Sequence, residues 1–201
     1  KRINKLKKQL KVSNHFILVA GSTRSGEEKI LLNLVEKLNY KKLILVIIPR
    51  HPERFSEVEN FFHLKNLPFV KISELEKIVK TPKYVLGDTM GDLYELYGLA
   101  TLAVIGGSIL DYGGQNPIEP MSSNIQTAVG PSIYNFKEMV SMAEKQKAIF
   151  RFQNIAELEK IIKDLINEGQ VNQNILKNAR QYIKKSSGGT DKIVRLVNQY
   201  L

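Results

Sequence analysis

One glycine-rich stretch has the residue types of an anion-binding turn. Gly106-Gly-Ser108 follows a short apolar run, and Gly113-Gly-Gln-Asn-Pro-Ile-Glu-Pro120 comes soon after it. Two glycine pairs would let main-chain N–H groups approach a ligand closely, and Asn116, Pro117 and Glu119 have the pattern of a helix start. A helix start beside such a turn can hold a phosphate without a lysine. Asn116 and Glu119 could instead form only a capping box, so a ligand role and a structural role both stay open.

A second candidate is the loop Pro49-Arg-His-Pro-Glu-Arg54, which follows an apolar run directly. Arg50, His51 and Arg54 at the end of a strand suit bidentate recognition of a phosphate or a carboxylate. The two prolines stiffen the loop and lower the entropy lost on binding. Arg54 could instead pair with Glu57 on the following helix, and His51 could merely pack. Arg50 is the better ligand candidate because it precedes the helix.

The loop after the first apolar run also has two interpretations. The hydroxyl groups of Ser22 and Thr23 and the cation of Arg24 could line the sugar or acceptor side of a cleft. Ser25 and Glu28 could instead form a capping box for the next helix. The loop lacks the Gly-Lys-Ser/Thr of a Walker P-loop.

A weaker signal comes from Gly87-Asp-Thr-Met-Gly-Asp92. Thr89 and Asp92 fit the capping of a short helix. Met90 and the neighbouring Gly91 are unusual between polar residues, and an apolar contact with a nucleobase would explain the methionine.

The elements that position these loops follow from the apolar runs. The runs are continuous rather than alternating, which indicates strands buried on both faces of a parallel sheet. The repeated strand–loop–helix order predicts an α/β fold with a Rossmann-like parallel sheet flanked by helices. Ligands of such sheets bind beyond the carboxyl ends of the strands, where all four loops would lie. The patterns predict strands over 16–20, 43–48, 69–70, 84–86, 102–105 and 125–129, and helices over about 27–38, 53–65, 92–97, 135–144, 155–167, 170–184 and 191–200.

The composition is that of a globular protein with an unusual positive charge. The 201 residues are 43% hydrophobic, lack cysteine, contain three histidines and carry a formal net charge of +10. No disulfide or thiolate metal site is expected, and a histidine-rich metal site is disfavoured. The first eleven residues hold six cations and no acid, which indicates a basic linker or helix taken from a longer chain. An anionic membrane surface or a nucleic acid could also bind such a charge.

Taken together, the motifs resemble those of the 3-deoxy-D-manno-octulosonic acid (Kdo) transferases. Six stretches occur in the order of that family and cover residues 16–136. They are Ser22-x-x-x-Gly-Glu-Glu28, Pro49-Arg-His-Pro-Glu-Arg-Phe55, Asp88-Thr-Met-Gly-Asp-Leu93, Gly106-Gly-Ser108, Gly113-Gly-Gln-Asn-Pro-Ile-Glu-Pro120 and Gly130-Pro-x-x-x-Asn-Phe136.

The resemblance implies the C-terminal, donor-binding half of a GT-B glycosyltransferase. By analogy, Arg50 would pair with the phosphate of the donor CMP-Kdo, and Met90 and Gly91 would line the cytidine site. Asn116 and Glu119 would hold the phosphate or the ribose. The expected domain division is a basic interdomain linker or helix over 1–15, a nucleotide-sugar-binding domain over 16–185 and a C-terminal helix over 186–201.

The same analogy adds five residues to the donor site, namely Asp92, Gly107, Ser108, Gly114 and Gln115. Two of them depart from the family, which usually has His where Gln115 stands and Glu where Asp92 stands. These departures leave open a non-catalytic protein that has kept the fold.

The implied activity is an inverting transfer of Kdo from CMP-Kdo to a lipid A precursor in lipopolysaccharide biosynthesis, at the cytoplasmic side of the bacterial inner membrane. The proposed catalytic base lies in the other half, so this chain alone is expected to bind nucleotide without turnover. No metal or cofactor is expected.

The alternatives are a GT-B domain that uses a UDP-sugar and a basic nucleic-acid-binding module. The second is disfavoured because the cations cluster at the N-terminus without interleaved aromatic residues.

Overall fold

The chain forms a seven-stranded parallel sheet with helices on both faces. The computed structural model describes residues 2–169 and 171–197. The strands are β1 Phe16–Thr23, β2 Leu43–Pro49, β3 Phe69–Lys71, β4 Tyr84–Leu86, β5 Leu102–Ile105, β6 Gln126–Val129 and β7 Phe150–Arg151. The helices are α1 Arg2–Gln9, α2 Glu27–Leu38, α3 Phe55–Leu64, α4 Leu93–Tyr97, α5 Ile118–Ser122, α6 Lys137–Lys145, α7 Ile155–Asn167 and α8 Gln173–Val197.

The strand order is β3-β4-β2-β1-β5-β6-β7, with β1 at the centre. Leu18 of β1 is level with Leu45 of β2 on one side and with Leu102 of β5 on the other. The chain builds β2 to β4 on one side of β1 and then crosses to build β5 to β7 on the other. The topological switch point, where such folds bind ligands, therefore lies between β1 and β5.

Both faces of the sheet are buried, as the continuous apolar runs predict. Phe16 and Leu18 pack in a core with residues of α2, α3 and α7. Ile17 and Val19, which point to the opposite face, pack with residues of α1 and α4. A third cluster joins the ends of β5 and β6 to α5, α6 and α8. The predicted α/β class and parallel sheet are confirmed.

Two local differences separate the predicted elements from the structure. β7 is missed because two residues are too short to give a pattern. Of the linker or helix predicted for the basic N-terminal residues, the structure shows a helix, α1. The helices expected over 170–184 and 191–200 form one helix, Gln173–Val197, which runs across the boundary expected between 185 and 186. Its two adjacent glycines, at 188 and 189, each cost about 1 kcal/mol without ending it. Residues 198–201 of the expected C-terminal helix lie outside the described residues.

Within the described part of the chain, no helix is both long and apolar enough to cross a membrane. The same residues contain no group of three or more His, Asp or Glu side chains placed to hold a metal ion.

Candidate functional site

The predicted loops meet at the carboxyl edge of the sheet. The N–H of Arg50 donates to the carbonyl of Thr23 at 3.0 Å, which joins the loop after β2 to the end of β1. The N–H of Gly106 donates to the carbonyl of Gly21 at 2.8 Å and joins the loop after β5 to the same strand. Since β4 is the other neighbour of β2, the Met90 loop lies next to the Arg50 loop.

A buried carboxylate fills the turn after β5. Glu27 Oε2 accepts from the N–H groups of Gly107 at 2.7 Å and Arg24 at 2.9 Å. Glu27 Oε1 accepts from those of Ile109 at 2.9 Å and Leu110 at 3.3 Å. The side chain is fully buried, and burial raises its pKa against the opposing effect of the four N–H donors. Gly107 of the first glycine pair therefore faces the protein's own anion.

The second glycine pair is also hydrogen-bonded internally. The N–H of Gly113 donates to Ser132 Oγ at 2.8 Å, and that of Gly114 donates to the carbonyl of Gly107 at 2.7 Å. Both glycines have positive φ values, 81° and 74°, which only glycine adopts readily. The N–H groups of all four glycines thus have partners within the chain. A ligand would therefore not find these amides unpaired, and the place of Gly107 and Gly114 in the donor site stays a prediction.

Three predicted hydroxyl groups point into the protein. Ser108 is fully buried, donates to the last carbonyl of β5 at 2.6 Å and accepts from the N–H of Gly130 at 2.8 Å. Thr23 is fully buried and donates to Glu28 Oε1 at 2.6 Å. Ser22 is also buried. The hydroxyl groups of Ser108 and Thr23 thus hold the loops together. The sugar-side or acceptor-side role of Ser22 and Thr23 and the nucleotide contact of Ser108 stay predictions.

Asn116 caps the helix and Glu119 does not complete a capping box. Asn116 Oδ1 accepts from the N–H of Ile118 at 3.0 Å, at the start of α5. The Glu119 carboxylate has no hydrogen bond with the described residues and is half-buried. Its charge adds to the burial that raises the pKa of Tyr97, so the carboxylate lies near that ring. Glu119 is the member of this pair that remains available to a ligand.

The structural interpretation holds for Arg54, which pairs with two carboxylates. It donates to Glu28 at 2.7 and 3.2 Å and to Glu57 at 3.1 Å. The hydroxyl of Ser25 lies 3.4 Å from Glu57, and the residue before α2 is Gly26 with a φ of 89°. The expected Ser25–Glu28 capping box is therefore wrong, because Glu28 is held by Arg54 instead.

Two cations remain at the ends of β1 and β2. Arg24 Nη1 lies 2.6 Å from His51 Nε2. Because a guanidinium only donates, Nε2 accepts and the imidazole proton sits on Nδ1. The Arg24 guanidinium also lies 5.1 Å from the centre of the Tyr112 ring. Arg50 is exposed, and its side chain makes no hydrogen bond or ion pair within the described part of the chain.

The loop after β4 presents an apolar side chain. Met90 is 68% exposed, and Gly91 beside it has a φ of 83°. Asp92 forms an ion pair with Arg2 of α1 and accepts a hydrogen bond from the Thr89 hydroxyl at 2.6 Å. Asp92 thus anchors α1 to this loop, and its contact with the donor stays a prediction.

The side chains left free at this edge come from three loops. All of them are exposed or half-buried, and none forms a side-chain hydrogen bond with a described residue. They are Arg50, Met90, Gln115 and Glu119. A cation, an apolar group, an amide and a carboxylate are the groups that a phosphate, a base and a ribose require.

Sequence reasoning gave no role to several residues that hold these loops. Besides Glu27, Asn135 Nδ2 donates to the carbonyl of Tyr112 at 3.1 Å, and Arg151 Nη1 donates to the carbonyl of Val129 at 2.8 Å. Glu27 and Asn135 lie inside the family motifs given above, and their place in those motifs could have indicated a role. Arg151 lies in β7 and gave none.

Known proteins share the sequence and the fold of this chain. It is 29% identical over 188 residues to the 3-deoxy-D-manno-octulosonic acid transferase of Haemophilus influenzae, covering 92% of this chain and 44% of that protein. The chain thus spans less than half the length of that relative. The crystal structure of the C-terminal CMP-Kdo binding domain of WaaA from Acinetobacter baumannii matches with a TM-score of 0.82 and 30% identity.

That match covers 90% of this chain and 96% of the solved domain. The Anabaena protein HepE, solved in complex with UDP-glucose, matches with a TM-score of 0.66 at 17% identity, covering 91% of this chain and 48% of that one, and shows the fold alone. No family model matches the sequence. From the sequence identity and the near-complete match to the solved Acinetobacter domain, the chain belongs to the 3-deoxy-D-manno-octulosonic acid transferase family.

Proposed function

We propose that this chain is the donor-binding domain of a glycosyltransferase that moves Kdo from CMP-Kdo to a lipid A precursor. The observation that carries the proposal is the exposed Arg50 directly after β2, whose side chain has no partner among the described residues, together with the exposed Met90 on the loop after the neighbouring β4. Similarity to a solved CMP-Kdo binding domain over 96% of its length supports the choice of donor.

The free side chains suggest how the donor would lie. Arg50 would pair with the phosphate and stabilise the negative charge that develops on it as the bond to Kdo breaks. Met90 would contact the face of the cytosine, and the Glu119 carboxylate would accept hydrogen bonds from the ribose hydroxyl groups. Gln115 would donate its amide to the phosphate. Binding by side chains would replace the main-chain cradle, whose N–H groups are already used.

The other parts of the reaction would lie outside this chain. The acceptor site and the catalytic base would belong to the remaining half of the protein, since the chain spans 44% of its relative. The whole protein would act in lipopolysaccharide synthesis at the cytoplasmic side of the bacterial inner membrane. Arg24 and His51, next to Arg50, would face the sugar or the acceptor. No resident cofactor takes part in this scheme, because Arg50 supplies the positive charge at the leaving phosphate.

A thermal-shift titration with CMP, UMP and AMP at two salt concentrations tests the proposal. A nucleotide at 100 times its Kd stabilises the fold by about 2.7 kcal/mol. For a chain of this size that is a rise of roughly 5–10 °C in Tm. We expect a rise with CMP that exceeds those with UMP and AMP and persists at the higher salt. Equal rises with all three nucleotides, or none with CMP, would contradict the proposal.

A further inference from the structure

The switch point of the sheet holds a negative charge that the proposed donor contacts do not use. Glu27 follows β1, and its carboxylate accepts hydrogen bonds from Gly107, Ile109 and Leu110 in the turn after β5. No ion pair of Glu27 occurs among the described residues, so N–H dipoles alone stabilise it. Burial of a charge is costly without compensation, and for this fully buried carboxylate four N–H donors supply it.

This position is the one that many doubly wound folds offer to a ligand phosphate. In dinucleotide-binding folds the glycine-rich turn after the first strand holds a pyrophosphate at the start of the next helix, and Glu27 is the first residue of the helix that follows β1 here. In this chain the N–H groups of Gly107 and Ile109 point to Glu27, at 2.7 and 2.9 Å. An N–H that donates to a buried carboxylate is not available to a second anion, and the carboxylate charge repels one.

The fold by itself does not impose this restriction. The Anabaena protein solved in complex with UDP-glucose, a diphosphate, has a similar fold. Side chains can therefore make the difference between a site for one phosphate and a site for two, and Glu27 is the side chain that fills the turn in this chain.

We propose that Glu27 is a specificity-determining residue that limits this site to nucleoside monophosphate donors, because its carboxylate occupies the anion-binding turn that a second phosphate would need. The inference rests on the proposed function, since it assumes that a nucleotide binds at this edge of the sheet. A monophosphate held by the side chains of Arg50 and Gln115 would not need the N–H groups of Gly107 and Ile109, which Glu27 already occupies.

Calorimetric titration of the chain with CMP and with CDP tests the inference while the base stays the same. Wild type should bind CMP more tightly than CDP. In Glu27→Gln, which removes the charge and keeps the shape, the ratio of the two affinities should move toward CDP by about tenfold, or about 1.4 kcal/mol. Glu36→Gln is the control, because Glu36 lies on the same helix as Glu27 but is exposed and remote from the turn after β5. It should leave the ratio unchanged.

A second variant keeps the test valid if Glu27→Gln folds poorly. Glu27→Ala leaves four N–H groups around a vacated anion site, so acetate should raise its Tm in a concentration-dependent manner and leave that of wild type unchanged. Chloride at the same ionic strength is the control. Lack of an acetate effect would overturn the assignment of the turn as an anion site.

The outcomes separate this inference from the function on which it rests. Wild type that binds neither nucleotide would contradict the donor-binding proposal, and the inference with it. Wild type that binds CMP, combined with a CMP-to-CDP ratio that Glu27→Gln leaves unchanged, would overturn the role of Glu27 alone.

Discussion

Arg54 donates to both oxygens of Glu28, from Nη1 to Oε1 at 2.7 Å and from Nη2 to Oε2 at 3.2 Å. The pair is largely buried, with 12% of the Arg54 side chain and 5% of the Glu28 side chain exposed. It ties the loop after β2, which carries Arg50, to the first turn of α2. The ligand-facing loop therefore depends on an ion pair that makes no contact with the proposed ligand.

Removal of one partner of this pair should destabilise the fold strongly. Arg54→Ala leaves Glu28 as a buried, unpaired charge, and such changes cost about 3–5 kcal/mol. Urea unfolding of the variant measures the loss. The double variant Arg54→Met with Glu28→Leu should recover most of the stability, because an apolar pair replaces the ionic one. A single variant as stable as wild type would contradict the buried pair.

Gly106 should tolerate no side chain. A Cβ there would lie 2.6 Å from the carbonyl oxygen of Gly21 and closer still to that of Ser22, and both are main-chain atoms. We expect Gly106→Ala to cost about 3 kcal/mol. Gly169→Ala is the control, because that position has a φ of 84° but open space around it, and should cost only about 1 kcal/mol. Equal Tm values for the two variants would refute the close approach of β1 and the turn after β5.

The stability of the chain should fall in acid partly through Glu159. The ammonium groups of Lys163 and Lys37 hold the pKa of Glu159 below its ordinary value. Because the folded pKa is lowered, the contribution of this group is present above the ordinary pKa of a glutamate and is lost as the pH falls through the lowered value. Tm measured from pH 3 to pH 7 should fall less steeply in Glu159→Gln than in wild type. Glu138→Gln, at an exposed site, is the control and should follow the wild-type curve.

Binding of CMP should not depend on a metal ion. Arg50 supplies the positive charge that the phosphate requires, so EDTA should leave the Kd for CMP unchanged, and added Mg²⁺ should not tighten it. A Kd that weakens in EDTA and recovers with Mg²⁺ would mean that the phosphate is held differently.

The sequence predicts the sheet well because its strands are continuous apolar runs, which leave few alternatives to a parallel sheet. It also indicates the loops that carry the site, since these follow the runs directly. The direction of the main-chain N–H groups was not predictable. Gly107 and Gly114 read as ligand-facing, yet their N–H partners are Glu27, 80 positions away, and the carbonyl of Gly107 itself. A local pattern does not show which of two anions, one internal and one bound, such a turn holds.

For Glu28 too, the sequence alone could not show which of two possible partners the carboxylate has. Ser25 and Glu28 have the spacing of a capping box, but Arg54 arrives from the next helix–loop unit and takes the carboxylate. A charged pair with good geometry offsets more of the burial cost than a single main-chain N–H could. The sequence indicated Arg54 with Glu57, and that contact exists alongside the buried one.

Calorimetric titration of CMP into wild type, Arg50→Ala and Arg180→Ala tests the central claim most directly. Arg180 is an exposed arginine on α8 and serves as the matched control. Loss of a charge-assisted contact with the phosphate should weaken CMP binding in Arg50→Ala by roughly 10- to 100-fold, and Arg180→Ala should match wild type. Equal affinity of all three proteins for CMP would contradict the assignment of Arg50, and with it the donor site proposed at this edge of the sheet.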